Sequence, residues 1–386
     1  MIKYIFFFFG ILWLQACQEA EIVDPNIYDC ELSFLDESET HPQKAQFEGF
    51  LKRIGEHSPG TQMAISTKDG KIWTGAAGYA DLASRVPLQT CNKLMVGSVS
   101  KVFTGVLIMQ LYDEGILSID DKMGDWLDGE LMDEIANADQ VTIQNLLNHT
   151  SGIPDYLAVE QFIDAANTPN FKETQREKLE YIYGKKAEFA PNAQYSYSNS
   201  NYVLLGLIVE EARQMPLWDA VEKFIVDPLE LKVAEMGTHN QPIPVGTARP
   251  YLATHSDKYF DIMQNAVSDG ATGDGGVASN ARDLITFMDG LFSGKLMSED
   301  ALKRMTETLV REDEDTEYGL GIEKYDTDHG TMFGHTGSTS SYTAYLFYFP
   351  DAQVTFSLTS SGQAFHGDFS STIGEVFGEL FDLVIE

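Results

Sequence analysis

A chain of 386 residues, 43% of them apolar, is long enough to bury the core of one large or two interleaved domains. Its 59 carboxylates against 26 lysines and arginines give a formal net charge of −33, a field that repels nucleic acid and anionic membrane surfaces and excludes both as partners. The eight histidines are scattered and neither His-Glu-x-x-His nor paired Cys-x-x-Cys occurs, so no metal and no cofactor is expected.

In chain order, the first segment is an export signal over residues 1–16. Lys3 is its only cation, and the apolar run over 4–14 is too short for the roughly 30 Å of bilayer hydrocarbon. Leu14-Gln15-Ala16-Cys17 resembles the bacterial lipobox. That resemblance implies an exported protein, cut before Cys17 and held at a bacterial membrane by lipid on Cys17 alone, on the periplasmic or cell-surface side. An ordinary signal peptide with an incidental cysteine is the alternative. Residues 17–43 carry eight carboxylates and no Lys or Arg, which predicts a self-repelling acidic tether. A disulfide between Cys30 and Cys91 is permitted by an exported address, and two buried free thiols remain equally open.

The folded part is expected over 44–386. Met63 and Ile65, then Ile72 and Trp73, flank an Asp69-Gly70 turn and predict a hairpin over 61–80. Over 98–114 the pattern becomes helical and apolar nearly all round, with Gly115 placed to end it, as in a helix at the centre of a domain. Helical segments dominate 120–263, including 142–147, 173–183 and 201–213, and another helix is expected over 280–292. Strand patterns return over 318–325, 341–349 and 353–359, and a helix from about residue 371 closes the chain. Strands at both ends with a helical middle predict an α+β fold. An antiparallel sheet flanked by helices, from about 44–119 and 264–386, carries a mostly helical insertion over about 120–263, with a cleft between the two parts.

Three short patterns carry chemistry. In Gly97-Ser98-Val99-Ser100-Lys101, residues three apart on a helix share a face, so the Ser98 hydroxyl and the Lys101 amine can meet at a helix N-terminus. A serine needs a base to become a nucleophile, and a desolvated lysine can serve. Tyr197-Ser198-Asn199 offers a phenol to move a proton and an amide to hold a carbonyl. In His335-Thr336-Gly337, an edge strand can pair with an extended substrate, glycine permits close backbone approach, and the histidine places a polar or charged group near the nucleophile. Taken singly, each pattern also fits a solvated loop, a cap or a turn.

In this order, together with Leu146-Leu147-Asn148-His149-Thr150-Ser151-Gly152-Ile153-Pro154 and the turn Gly273-Asp274-Gly275-Gly276-Val277-Ala278, they resemble the penicillin-recognising serine hydrolases. This family includes DD-peptidases, AmpC-like serine β-lactamases, esterases and D-aminopeptidases; the likeness runs from about Phe47 to the C-terminus. It implies a β-lactamase/transpeptidase-like fold and an acyl-enzyme on Ser98, with Lys101 as base and Tyr197 as proton shuttle. It further implies that Asn199, His335, Thr336, Gly337 and Ser338 bind substrate, and that the N–H groups of Ser98 and Ser338 form the oxyanion hole. His149 is then a structural residue.

The implied activity is cleavage of a peptide, amide or ester bond, DD-peptidase-like or esterase-like, on a small molecule or peptide such as a peptidoglycan stem. A penicillin- or cell-wall-binding lipoprotein that acylates without turnover is the alternative. Histidine where many members have lysine argues against an efficient β-lactamase. No arginine lies between Glu312 and His335 to bind a terminal carboxylate, and Lys324 is the sole cation there. Competing signatures fail: no Gly-x-Ser-x-Gly elbow or phosphate loop occurs, and Gly273-x-Gly275-x-x-Ala278 follows a polar turn instead of an apolar strand.

Overall fold

The computed structural model describes residues 25–29, 37–168, 171–253, 259–263, 272–313, 316–362 and 367–385. The export signal and Cys17 lie outside these residues, as does part of the expected tether.

The hairpin forms as its pattern predicts. Strands Gly60–Ser66 and Ile72–Asp81 pair antiparallel with Ile65 opposite Trp73, and Gly70 takes φ +78° in the turn. Gly60–Ser66 pairs on its other side with Val354–Ser361 from the far end of the chain. Among the described residues the antiparallel sheet has nine strands in the order Val86–Pro87, Ile72–Asp81, Gly60–Ser66, Val354–Ser361, Tyr342–Phe349, Gly330–Ser338, Glu323–Thr327, Thr316–Tyr318, Val310–Arg311. Helices Lys44–Gly55 and Gly367–Ile385 cover one face, where Phe47, Trp73, Phe356 and Phe381 are buried together. Helix Ala281–Phe292 packs on strands of the opposite face, its first N–H groups capped by Asn280, whose amide oxygen accepts from Asp283 N at 2.7 Å.

The buried helix is Ser100–Asp113, preceded by a 3₁₀ turn at Gly97–Val99. Every residue from Ser100 to Leu111 is buried, and Gly115 (φ +69°) ends the helix, so its apolar surround reflects burial on all sides. Helix Asn199–Arg213 packs against it, and Phe103 stacks on Phe287 with centroids 3.9 Å apart.

Three expectations change. The span 318–325 is two strands, because Gly319 N bonds Ile322 O at 2.7 Å and Gly321 takes φ +90°, turning Thr316–Tyr318 back onto Glu323–Thr327. The chain re-enters sheet structure at Glu235–Met236, well before residue 263, where it pairs with Val277–Ser279. The described parts of 17–43 do not hang free. Tyr28 is 2% exposed with its carbonyl held by Asn92 Nδ2 at 2.8 Å, and Ser38 Oγ accepts from Thr74 N at 2.9 Å. Tyrosine and serine groups among the carboxylates supply the contacts that net charge alone does not forecast. Cys91 is disulfide-bonded, and both other cysteines lie outside the described residues.

Phe103 fills the seam between the central helix and Phe287. Phe103→Ala should lower unfolding free energy by about 3–5 kcal/mol through lost burial and a residual cavity. Denaturant titration checks this, and a loss under about 1 kcal/mol would contradict the packing.

Candidate active site

Ser98 sits in the 3₁₀ turn, so its side chain emerges where unpaired N–H groups point outward. Gly97 takes φ +53°, and a Cβ there would lie 2.9 Å from Ser338 N. Only glycine allows the serine turn to approach the strand this closely. The same holds across the gap, since a Cβ on Gly337 would meet Val96 O at 2.0 Å.

Lys101, one turn on, is fully buried. Its Nζ donates to Ser98 Oγ at 3.1 Å, to Asn199 Oδ1 at 2.8 Å and to the Asp274 carbonyl at 2.9 Å. An ammonium has three protons, and each has an acceptor here. The rings of Tyr197 and Tyr202 add their faces, 5.0 and 5.6 Å from Nζ. The Gly273-Asp274 turn reaches Lys101 because Thr104 Oγ1, one helical turn further on, holds Gly273 O at 2.7 Å. Gly273 itself must be glycine, for a Cβ would meet Tyr202 O at 2.1 Å.

The Tyr197 ring lies 5.0 Å from Lys101 Nζ, and burial raises its pKa well above the ordinary value, with Ser98 acting the other way. The phenol therefore keeps its proton. His149 holds this tyrosine: its carbonyl accepts from Ser196 N at 3.0 Å, its Nδ1 accepts from Ser198 N at 3.1 Å, and its ring lies 4.3 Å from that of Tyr197. Burial, then the charge of Lys101, pushes His149 well below its ordinary pKa. It is a neutral clamp, the structural role the sequence suggests.

The substrate-facing strand differs from expectation in two ways. Gly330–Ser338 lies inside the sheet, and only its last residues form an edge, because the neighbouring ladder stops at Glu323 opposite Gly334. His335 is buried, 1% exposed, on the strand face it shares with Gly337, with its ring 6.4 Å from that of Tyr197. Its Nδ1 lies 2.5 Å from Thr336 O, an atom that can only accept, so Nδ1 carries the proton and Nε2 accepts from the Tyr318 hydroxyl at 2.9 Å. Burial pushes its pKa from 6.5 down to about 3, with Lys101 adding in the same direction. His335 is thus a neutral support behind Tyr197, and not a charge offered to substrate.

Beyond the end of the ladder, Thr336 N donates to the carboxylate of Glu323 at 3.0 Å. Two residues on, Ser338 N points to the same open side by the alternation of strand N–H groups. Exposed Ser338 therefore presents a donor beside the serine turn, where an oxyanion would form.

Asn199, Ser98, Lys101 and Tyr197 come together as the sequence patterns require. Two carboxyl groups escape that reading. Burial raises Glu323 to about 7 beneath the strand, and raises Asp155 to about 6 beside Asn199. Neither belongs to a local pattern, since each acts on a residue distant in the chain.

A family model described as Beta-lactamase matches residues 46–377. The chain is 28% identical over 331 residues to penicillin-binding protein 4* of Bacillus subtilis (strain 168), covering 81% of this chain and 70% of that one. Among solved structures, a D-stereospecific amidohydrolase from Streptomyces sp. aligns with a TM-score of 0.71 and 26% identity, covering 85% of this chain and 98% of the other. A D-amino acid amidase from Ochrobactrum anthropi SV3 aligns with a TM-score of 0.77 over 89% and 99% of the two chains, and at 20% identity shares the fold.

With a folded-state pKa of about 3, the His335 ring should stay neutral across the working range. Histidine-labelled NMR should show no titration of this ring between about pH 5 and 8, while a midpoint near the ordinary value would restore a charge at the site.

Proposed function

The chain belongs to the beta-lactamase family of serine hydrolases, and from that premise we propose that it forms and hydrolyses an acyl-enzyme on Ser98, drawn from small amides and esters. The observation that carries the proposal is the Ser98 hydroxyl 3.1 Å from the buried Lys101 Nζ, which itself lies 5.0 Å from the ring of the protonated Tyr197 phenol.

In its neutral form Lys101 donates to Asn199 and Asp274 and turns its lone pair to Ser98. The Ser98 proton passes to that amine as Oγ bonds the carbonyl carbon, and the N–H groups of Ser98 and Ser338 hold the oxyanion. Tyr197 gives its proton to the departing amine or alkoxide as the scissile bond breaks, and Lys101 returns one to the phenolate. Water then attacks the ester, its proton taken by the same pair, and Ser98 leaves with a proton restored.

The charge of the site favours acyl donors without a terminal carboxylate. His335 is neutral and buried, and Lys324 is engaged by Glu317 at 2.8 Å and Asp326 at 3.2 Å. Similarity to the amidohydrolase from Streptomyces sp. supports D-configured amides among the substrates. Leu14-Gln15-Ala16-Cys17 supports the further proposal of an exported protein anchored through lipid on Cys17.

A fluorophosphonate should label Ser98 alone, and Ser98→Ala should lose both labelling and hydrolysis. Ser100→Ala should still be labelled, since Ser100 Oγ accepts from Val277 N at 3.1 Å and faces away. Lys101→Ala and Tyr197→Phe should each lower kcat at least about a hundredfold with smaller changes in KM. Peptide mass spectrometry and steady-state kinetics check these points; an adduct elsewhere, or near-normal kcat in either variant, overturns the assignment.

On a panel of p-nitrophenyl esters, D-amino-acid amides and D-Ala-D-Ala peptides, kcat/KM should favour the first two by at least about tenfold. Preference for the carboxylate-bearing peptide would reverse the substrate reading.

A further inference from the structure

Asp155 lies outside the three motifs, yet it touches Asn199 twice. Its Oδ1 accepts from Asn199 N at 3.2 Å and its Oδ2 from Asn199 Nδ2 at 3.0 Å. Asn199 is the first residue of helix Asn199–Arg213, whose preceding Ser198 makes no side-chain cap. A carboxylate from another segment therefore takes the first N–H of this helix, where the helix dipole also favours negative charge. Oδ1 further accepts from Leu157 N at 3.2 Å, capping the short turn Tyr156–Ala158.

These contacts decide which way the Asn199 amide points. The oxygen and nitrogen of an amide have nearly the same shape, so only partners distinguish them. A carboxylate oxygen can only accept, and so the end of Asn199 facing Asp155 must be the NH₂. The other end, 2.8 Å from Lys101 Nζ, must then be the oxygen. Reversed, Asn199 would aim N–H groups at the lysine, opposing its protons when charged and competing with Ser98 for its lone pair when neutral.

We propose that Asp155 is a positioning residue for acylation of Ser98: it locks Asn199 with its amide oxygen toward Lys101. The inference rests on the reading of Lys101 as the group that takes the Ser98 proton. The groups facing Asp155 with charge or a titratable proton are Lys101 from the central helix and Tyr197 from the loop before Asn199. Glu323 senses Lys101 from the sheet side, so two carboxyl groups flank the buried cation.

Asp155→Asn separates orientation from simple capping, because asparagine is also a good cap. It has one acceptor oxygen where aspartate has two. If that oxygen keeps the backbone N–H groups of Leu157 and Asn199, its NH₂ faces Asn199 and drives the Asn199 amide to flip. Labelling of Ser98 by a fluorophosphonate should then slow at least about tenfold at saturation, while the half-saturating concentration moves less than about threefold. In an Asn199→Ala background the same exchange should add less than about twofold, since nothing is left to orient.

The thermal transition of each full-length variant shows that the fold is kept. Labelling of Asp155→Asn within about twofold of the unaltered protein, or a full additional loss in the Asn199→Ala background, overturns the inference. An unaltered protein that is never labelled at Ser98 instead overturns the acyl-enzyme reading on which it rests.

Discussion

The ammonium of Lys101 is buried without any exposure, and the remainder of the site is arranged around that constraint. Withdrawing such a charge from water costs several kcal/mol unless its donors are met. Three oxygens meet them, and they come from the serine turn, from the start of helix Asn199–Arg213 and from the main chain of the Gly273-Asp274 turn. The lysine thus ties together three segments that lie far apart in the chain.

The same burial sets the state of its neighbours. His149 and His335 are kept neutral by desolvation and by Lys101, whereas Tyr197 is kept protonated. Around one cation the protein collects neutral hydrogen-bonding groups on the near side and two carboxyl groups, Asp155 and Glu323, further back. That pattern explains why a histidine stands in the strand motif without offering charge to substrate.

Close approach is the second constraint. Gly97 and Gly337 leave no room for a Cβ between the serine turn and the strand, and this brings Ser338 N beside the nucleophile. The strand can offer that N–H because the neighbouring ladder ends at Gly334, with Glu323 extending it by one carboxylate contact to Thr336. An open sheet edge is thereby confined to the few residues that face the cleft.

By itself, the sequence determined whatever depends on local periodicity and spacing. Ser98 and Lys101 are three apart at the start of a helix that is apolar nearly all round, Gly70 and Gly115 mark a turn and a helix end, and the strand and helix segments follow their 2.0 and 3.6 periods. It misread the 318–325 span, where the positive φ of Gly321 splits an apparent strand, and left open the charge of His335, which burial keeps neutral. Asp155 and Glu323 left no local trace, because their partners Asn199 and Thr336 meet them only after the chain has folded. The tertiary structure decided these matters for one physical reason: burial and hydrogen-bond pairing between distant segments set both the charge of a group and the direction it faces.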